Sequence, residues 1–168
     1  IPKTILKSRV QHNPLLKHLY ICSIGYYPKA KEHYTYRKKG LPENFIFYCV
    51  DGHGWYKIEN QRYEVGPNEF FILPQNKEHA YGADADHPWS IYWIHFGGEG
   101  LPALNKTMAV QKHFKPFLIK NNAQTIAIFT KIYKALQLGY SIDNLLFANM
   151  CLTHFLTLFI YNTRHYES

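Results

Sequence analysis

Residues 44–74 read NFIFYCVDGHGWYKIENQRYEVGPNEFFILP and contain four short, largely apolar runs separated by turn residues. The breaks contain an Asp-Gly pair at 51–52, an Asn-Gln pair at 60–61 and a Gly-Pro-Asn triplet at 66–68. Strands of four to eight residues joined by turns of this composition are typical of antiparallel β-structure. A parallel sheet would need helices between its strands, and none fits here. The stretch therefore predicts an antiparallel β-sandwich or a small β-barrel.

Strand-like runs of the same kind continue on both sides, from about residue 18 to residue 96. HLYICSIGYY and HYTYRKKG precede the quoted stretch, and HAYG and WSIYWIHF follow it. The character of the sequence changes after the glycine pair at 97–98. From about Thr125, apolar residues recur at steps of three and four, which indicates an amphipathic helix. The chain is therefore predicted to be mostly β, with helices towards its C-terminal end.

A second helix is predicted from about residue 143 to residue 162. Gly139 is the expected stop of the first helix, and Ser141 or Asp143 is the expected cap of the second. The second helix is apolar on more than one face, and a helix packed against one surface needs only one apolar stripe. This excess favours a homodimer interface over complete burial within the chain. The interface is expected to contain four large residues of this helix: Leu145, Leu152, Leu156 and Phe159.

Length and composition favour one compact domain with an appended helical region. The chain has 168 residues, of which 46% are hydrophobic and 18% are charged, so it can build a core. The net charge of +7 is scattered along the sequence and does not form the basic patch that DNA binding requires. The second helix also lacks the polar and basic residues that a DNA-reading helix presents to the major groove.

Cysteine use and hydropathy bear on the cellular compartment. Cys22, Cys49 and Cys151 are odd in number and form no C-x-x-C pair, which disfavours a disulfide framework and a zinc site. No signal peptide opens the chain, and no apolar run reaches the roughly 18 residues that a membrane helix needs. A cytoplasmic protein that does not bind membranes is therefore expected. The chain begins at Ile1 without an initiator Met, which is consistent with an excised fragment.

The stretch WSIYWIHF alternates in the manner of a strand covered on both sides. One face carries two tryptophans, an isoleucine and a histidine: Trp89, Ile91, Trp93 and His95. The other face is expected to pack against the C-terminal helices. Large indole rings leave irregular space and carry N–H groups that need acceptors. The first face is therefore predicted to line a cavity for a small ligand.

The run NFIFYCVDGHGWYKIENQRYEVGPNEFFILPQNKEHAYG, followed by PWSIYWIHFGG, resembles the N-terminal regulatory domain of AraC-type transcription regulators, with YRKKG upstream. The resemblance covers about residues 18–100. It implies a cupin-like antiparallel β-barrel of the jelly-roll type followed by two α-helices. It also implies three regions: an N-terminal arm at 1–17, an effector-binding barrel at 18–100, and a connecting and helical dimerisation region at 101–168.

The function that this resemblance implies is binding of a small effector, often a sugar, together with dimerisation through helices. DNA binding in such regulators belongs to a separate C-terminal helix-turn-helix domain, which this chain lacks. From the arabinose-responsive member, the resemblance assigns Arg37 as a donor to ligand hydroxyls. It assigns Tyr81 as a wall and hydrogen-bonding partner and Trp93 as a stacking platform. A polar contact from the first strand falls near Ser23.

One position departs from the pattern of that family member. Ile91 stands where the family member has a ligand-binding histidine, so a sugar hydroxyl would lose a partner there. His95, two residues beyond Trp93, is expected to point into the same cavity and replace that contact. Trp89 lies on the same predicted face and completes the set of expected ligand-binding residues.

A second hypothesis is a cupin-type metal-dependent enzyme that uses His79 and His95. The chain has ten histidines but no H-x-H pair, so a metal site would need single histidines from separate strands. No local signature of a nucleophilic catalyst or a phosphate-binding loop occurs. The sensor interpretation is therefore preferred, with no enzymatic activity, no cofactor and no metal expected.

Overall fold

The computed structural model describes residues 1–110, 114–120 and 122–165, with side chains up to residue 161. The described strands are β1 Tyr20–Tyr27, β2 Tyr34–Arg37, β3 Asn44–Asp51, β4 Gly54–Ile58, β5 Gln61–Val65, β6 Glu69–Leu73, β7 His79–Ala83, β8 Ser90–Gly97 and β9 Phe117–Leu118. The helices are α1 Lys3–Ile5, which continues as a π-helical turn Leu6–Val10, then α2 Leu101–Thr107, α3 Asn122–Gln137 and α4 Ile142–His165.

The strands form two antiparallel sheets. One sheet has the order β1-β8-β3-β6-β9, and the other has the order β2-β7-β4-β5. The eight runs predicted from the sequence are β1 to β8, and the two predicted helices are α3 and α4. The fold prediction is therefore confirmed, since the chain is a cupin-type β-sandwich followed by helices. The sequence did not predict β9, α2 or the helical N-terminal residues.

The five-stranded sheet is buried on both faces, which makes the molecule three layers thick. Its inner face packs against the four-stranded sheet through residues such as Phe47, Phe71 and Ile91. Its outer face packs against the helices through residues such as Ile94 and Phe96. The alternation predicted for residues 89–96 is therefore correct, because neighbouring residues of β8 belong to different cores.

The turn between α3 and α4 has the predicted geometry. Gly139 has a φ of +124°, a conformation that side-chain-bearing residues rarely adopt. The Ser141 hydroxyl then accepts a hydrogen bond from the Asn144 amide at 3.2 Å, which caps the first turn of α4. Further along α4, Asn149 Oδ1 accepts a hydrogen bond from the Ile21 amide at 3.0 Å. This buried contact ties α4 to the first strand.

The residues expected at a dimer interface are buried within the chain itself. Leu145 and Leu152 are 0% exposed, and Leu156 and Phe159 are 1% exposed. They belong to the core between α4, α3 and the five-stranded sheet. The expectation for these four residues is therefore wrong, because the largest apolar face of α4 is needed to cover the sheet. A second copy of the chain cannot reach them without unfolding this layer.

Helix α4 is also longer and more apolar than the sequence analysis predicted. Ile142–Tyr161 has a mean hydropathy of 1.4 and is long enough to cross a membrane, which corrects the statement that no run reaches that length. Length and composition alone are weak grounds for a membrane span, since a packed core helix meets the same criteria. Here the helix packs against α3 and β1.

The N-terminal residues pack on the helical side of the five-stranded sheet. Val10 and Leu16 are fully buried in the core that contains α3 and α4. The Ile1 ammonium donates a hydrogen bond to the Cys22 carbonyl oxygen at 2.9 Å. Arg9 Nη1 donates to the Tyr140 carbonyl oxygen at 2.5 Å. These contacts fix the segment onto the body of the molecule.

Candidate functional site

A group of polar and aromatic side chains collects between the two sheets, around the buried ring of Phe45. We call it the interior polar cluster, and it consists of Ser23, His33, Arg37, Glu43, His79, Tyr81, Trp93 and His95. It contains five of the predicted ligand-binding residues. The residues packed around it in the core between the two sheets are mainly aromatic and aliphatic.

Strand pairing positions the Arg37 side of the cluster. Arg37 on β2 lies opposite His79 on β7, so both side chains emerge on the same face, and Tyr81 follows two residues after His79. Arg37 Nη1 lies 3.1 Å from His79 Nε2 and donates to the Tyr81 hydroxyl at 3.2 Å. The guanidinium carbon is 5.0 Å from the centre of the Phe45 ring. These contacts hold the guanidinium in one place.

His79 is neutral in this arrangement. An arginine can only donate hydrogen bonds, so His79 Nε2 must accept, and the imidazole proton therefore sits on Nδ1. Burial, together with the adjacent Arg37 charge, lowers the pKa of His79 to about 4. The side chain is only 3% exposed. At neutral pH, Arg37 is therefore bound to two uncharged acceptors.

Strand β8 supplies the opposite side of the cluster. The indole of Trp93 lies over Gly25 of β1, where a Cβ atom would overlap the ring. His95 stacks on Phe45 with ring centres 3.3 Å apart, and its Nδ1 is 3.8 Å from Glu43 Oε1. Burial lowers the pKa of His95, although the Glu43 carboxylate opposes that shift. The indole face, the imidazole and the carboxylate thus lie side by side.

Ser23 lies directly opposite His95 in the β1–β8 pairing, so its side chain emerges on the same face of the sheet. A β-bulge between Ile21 and Ser23 sets this register. Ser23 is partly exposed. The bulge therefore keeps Ser23 on the face of the sheet that carries His95.

Trp89 and Ile91 do not belong to the accessible part of the interior. Both are 0% exposed, and a side chain with no accessible surface borders no space that a water molecule could enter. The Trp89 ring packs directly on Gly54, and its Nε1 donates to His33 Nδ1 at 3.2 Å. The expectation that these two residues contact a ligand is therefore wrong for this arrangement. The first residues of β8 and the residue before the strand are packed core.

Three members of the cluster were not predicted as ligand-binding residues: His33, Glu43 and His79. His33 and Glu43 lie just before strands, where alternation gives no signal about direction. His33 reaches the interior because the chain before it is held by a hydrogen bond from the Ala30 amide to the Trp89 carbonyl oxygen at 2.9 Å. His79 was considered only as a metal ligand, although its position two residues before Tyr81 places it on the same inward face.

The residues of the metal hypothesis do not form a metal-binding group. Among the described residues, no three His, Cys, Asp or Glu side chains lie close enough together to hold an ion. His79 Nε2, one of the two ring nitrogens through which a histidine binds metal, faces the guanidinium of Arg37 instead. A fixed cation at 3.1 Å repels a second one. The geometry suits the binding of a small polar molecule, with hydrogen-bond donors, acceptors and an aromatic platform together.

Known proteins share both the sequence pattern and the fold. Residues 23–148, about three quarters of the chain, match the family model of the AraC-like ligand binding domain. The MmsAB operon regulatory protein of Pseudomonas aeruginosa is 33% identical over 103 residues, which cover 59% of this chain and 33% of that protein. The Msm operon regulatory protein of Streptococcus mutans is 29% identical over 75 residues, which cover 44% of this chain and 27% of that protein.

A solved structure matches most of the chain. Apo ToxT K231A from Vibrio cholerae has 14% sequence identity and a TM-score of 0.52, and the match covers 86% of this chain and 56% of that one. At this identity the likeness concerns the fold alone. This chain spans about a third or less of the length of the two curated relatives. From the extent of the family match, we conclude that the chain belongs to the AraC-like ligand binding domain family.

Proposed function

We propose that this chain senses a small effector and controls, through dimerisation, the DNA binding of a transcription regulator. The observation that carries the proposal is the interior polar cluster, in which Arg37 is held by His79 and Tyr81 between the two sheets. Polar and charged groups inside a core cost free energy, so their concentration at this place supports a binding role. The two relatives named as operon regulatory proteins support the regulatory part.

The effector is a carbohydrate or a related polar compound. Trp93 offers an indole face against which a ring can stack, and Arg37 offers a fixed fork of donors. Ser23, Tyr81 and His95 supply hydroxyl and imidazole groups that can donate to or accept from ligand hydroxyls. The domain does not catalyse a reaction, and its response to ligand is conformational.

The partner in dimerisation is a second copy of the chain, which binds a face of α4 other than the one first expected. Phe147, Met150 and Tyr161 are 51%, 53% and 56% exposed. With the partly buried Leu158, they lie on the side of α4 opposite Leu145 and Leu152, where the exposed His154 stands between Met150 and Leu158. An exposed apolar stripe of this kind is typical of a helix that packs against another helix. DNA binding belongs to a separate domain of the full-length regulator, and the cytoplasm is the proposed compartment.

Thermal unfolding of the purified chain tests the sensor function. The chain is screened with neutral sugars, sugar acids, amino acids and polyols. A ligand at about 100 times its dissociation constant should raise the free energy of unfolding by roughly 2.7 kcal/mol. Trp93→Ala is expected to abolish the shift, while Trp55→Ala, which alters an indole on the outer face of the other sheet, should leave it intact. If no compound in the screen raises the free energy of unfolding, the sensor function is contradicted.

A further inference from the structure

The charge of Arg37 has no counter-ion in the described part of the chain. The ion pairs formed there by lysine and arginine involve other residues: Glu99 pairs with Lys17, Glu64 with Arg62 and Glu59 with Lys77, while Glu43 Oε1 lies 3.8 Å from His95 Nδ1. Arg37 is partly buried, and its hydrogen-bond partners are a neutral imidazole and a neutral phenol. Removal of a cation from water without a compensating anion is costly.

The electrostatic effect of this charge extends through the cluster. Burial lowers the pKa of His33, His79 and His95, and the Arg37 guanidinium lowers each of them further. All three imidazoles therefore favour their neutral forms. Arg37 is left as the fixed cation of the cluster, and the Glu43 carboxylate lies beside His95, which stacks on the Phe45 ring.

Part of the Arg37 guanidinium makes no hydrogen bond within the described residues. Both of its hydrogen bonds within the described residues use Nη1, so neither Nε nor Nη2 has a hydrogen-bond partner there. The edge formed by these two nitrogens matches the two oxygens of a carboxylate in a bidentate pair, which is stronger and more directional than a hydrogen bond to a neutral hydroxyl. A neutral sugar would fill the site but would leave the charge uncompensated.

We propose that the effector is a small carboxylate, such as a sugar acid, and that Arg37 binds its carboxylate group while His79 and Tyr81 orient the guanidinium. This inference rests on the proposed sensor function and narrows its ligand class from polar compounds in general to organic anions. Trp93 and the Glu43–His95 pair then contact the uncharged remainder of the ligand.

Matched pairs of compounds test the inference by calorimetry at constant ionic strength. The pairs are D-glucuronate with D-glucose, D-galacturonate with D-galactose, D-gluconate with sorbitol, and lactate with 1,2-propanediol. At least one acid is expected to bind with a dissociation constant at least tenfold lower than that of its neutral partner. Arg37→Gln should weaken the binding of that acid by on the order of 30-fold or more, since the substitution removes one member of a charged pair.

Control variants separate the role of Arg37 from an effect on folding. Arg62→Gln removes the same charge from the outer face, where Arg62 lies over Trp55, and should leave acid binding unchanged. Arg37→Lys retains the positive charge but lacks the planar set of guanidinium donors, so its affinity for the acid should lie between those of the wild type and Arg37→Gln. It also serves as the test variant if Arg37→Gln does not fold, which its melting temperature reports.

Three results would overturn the inference: equal binding of the acid and its neutral partner, unchanged acid binding in Arg37→Gln, or no binding by any acid in the panel. Neutral compounds that bind as tightly as their acid partners, or more tightly, would overturn the carboxylate inference and leave the sensor function intact. A chain that binds nothing in the broader screen would overturn both.

Discussion

His79 makes the stability of the chain depend on pH. Burial, followed by the Arg37 charge, lowers its pKa from the ordinary value of 6.5 to about 4. In the unfolded chain, His79 takes up a proton as the pH falls through about 6.5, whereas the folded chain resists protonation until about pH 4. Between these values the unfolded state binds more protons, so the free energy of unfolding falls as the pH falls.

Replacement of His79 by glutamine should remove part of this pH dependence. The amide oxygen of glutamine can still accept from Arg37, but the side chain does not titrate. Between pH 7 and pH 4.5, the free energy of unfolding of the wild type should fall by roughly 2 kcal/mol more than that of His79→Gln. Urea unfolding at the two pH values measures the difference. The exposed His12→Gln is the control, and an identical pH dependence in wild type and His79→Gln would contradict the prediction.

At the level of single residues, part of the candidate site could be predicted from the sequence. The resemblance pointed to Arg37, Tyr81 and Trp93, and the structure brings the first two into contact. Alternation assigned Trp89 and Ile91 to the correct face but could not tell which end of that face is packed. That distinction depends on Gly54 of another strand, which allows the Trp89 ring to pack against the backbone.

At the level of elements, α4 divides its apolar residues between two faces. Leu145, Leu152 and Phe155 face the sheet, while Phe147 and Met150 face outward. The sequence indicated that two faces exist, because the helix is apolar nearly all round. It could not indicate which face covers the sheet, since both carry large side chains at helical spacing.

Charged substitutions on the two faces should have different consequences. Met150→Asp is expected to convert dimers to monomers in analytical ultracentrifugation while the fold is retained, because the new carboxylate stays in water. Leu152→Asp should destabilise the monomer by more than about 4 kcal/mol, since it buries a charge in the core. Thr153→Asp, exposed on α4 beside the stripe, is the matched control. A wild-type chain that is monomeric at all concentrations, or a dimeric Met150→Asp, would contradict the proposed interface.

The strands were predictable and the smaller elements were not, for a physical reason. Strands β1 to β8 have five or more alternating or apolar residues, or a strong turn at one end. Strand β9 has only two residues, Phe117 and Leu118, and exists because they pair with Glu69 and Phe70 of β6. Such a pairing depends on tertiary contact and leaves no period in the sequence.

On the scale of the whole molecule, the sheet and the helices share one core. The expected boundaries of the barrel, residues 18 and 100, lie close to the ends of β1 and β8. The outer face of the five-stranded sheet nevertheless has five large side chains that the helices cover to 0–2% exposure: Ile21, Ile46, Phe70, Ile94 and Phe96. The expected barrel and helical regions therefore depend on each other for burial.

A fragment of residues 18–100 should not fold stably by itself. Exposure of those five side chains would cost about 2 kcal/mol each, or roughly 10 kcal/mol in total. That is comparable to the entire stability of a typical domain. Near-ultraviolet circular dichroism and urea unfolding of the fragment, beside residues 1–168 under the same conditions, measure the effect. A cooperative unfolding transition in the fragment would show that the barrel is independent of the helices.

The hydrogen bond between the Ile21 amide and Asn149 has a consequence for how such a sensor would report to the cell. Ile21 lies two residues before Ser23 in the interior polar cluster, and Asn149 lies one residue before Met150 on the proposed interface. If both sites act on this contact, effector affinity and self-association are linked reciprocally. The half-saturating effector level would then vary with the abundance of the regulator itself, so cells with different copy numbers would respond to different amounts of the same compound.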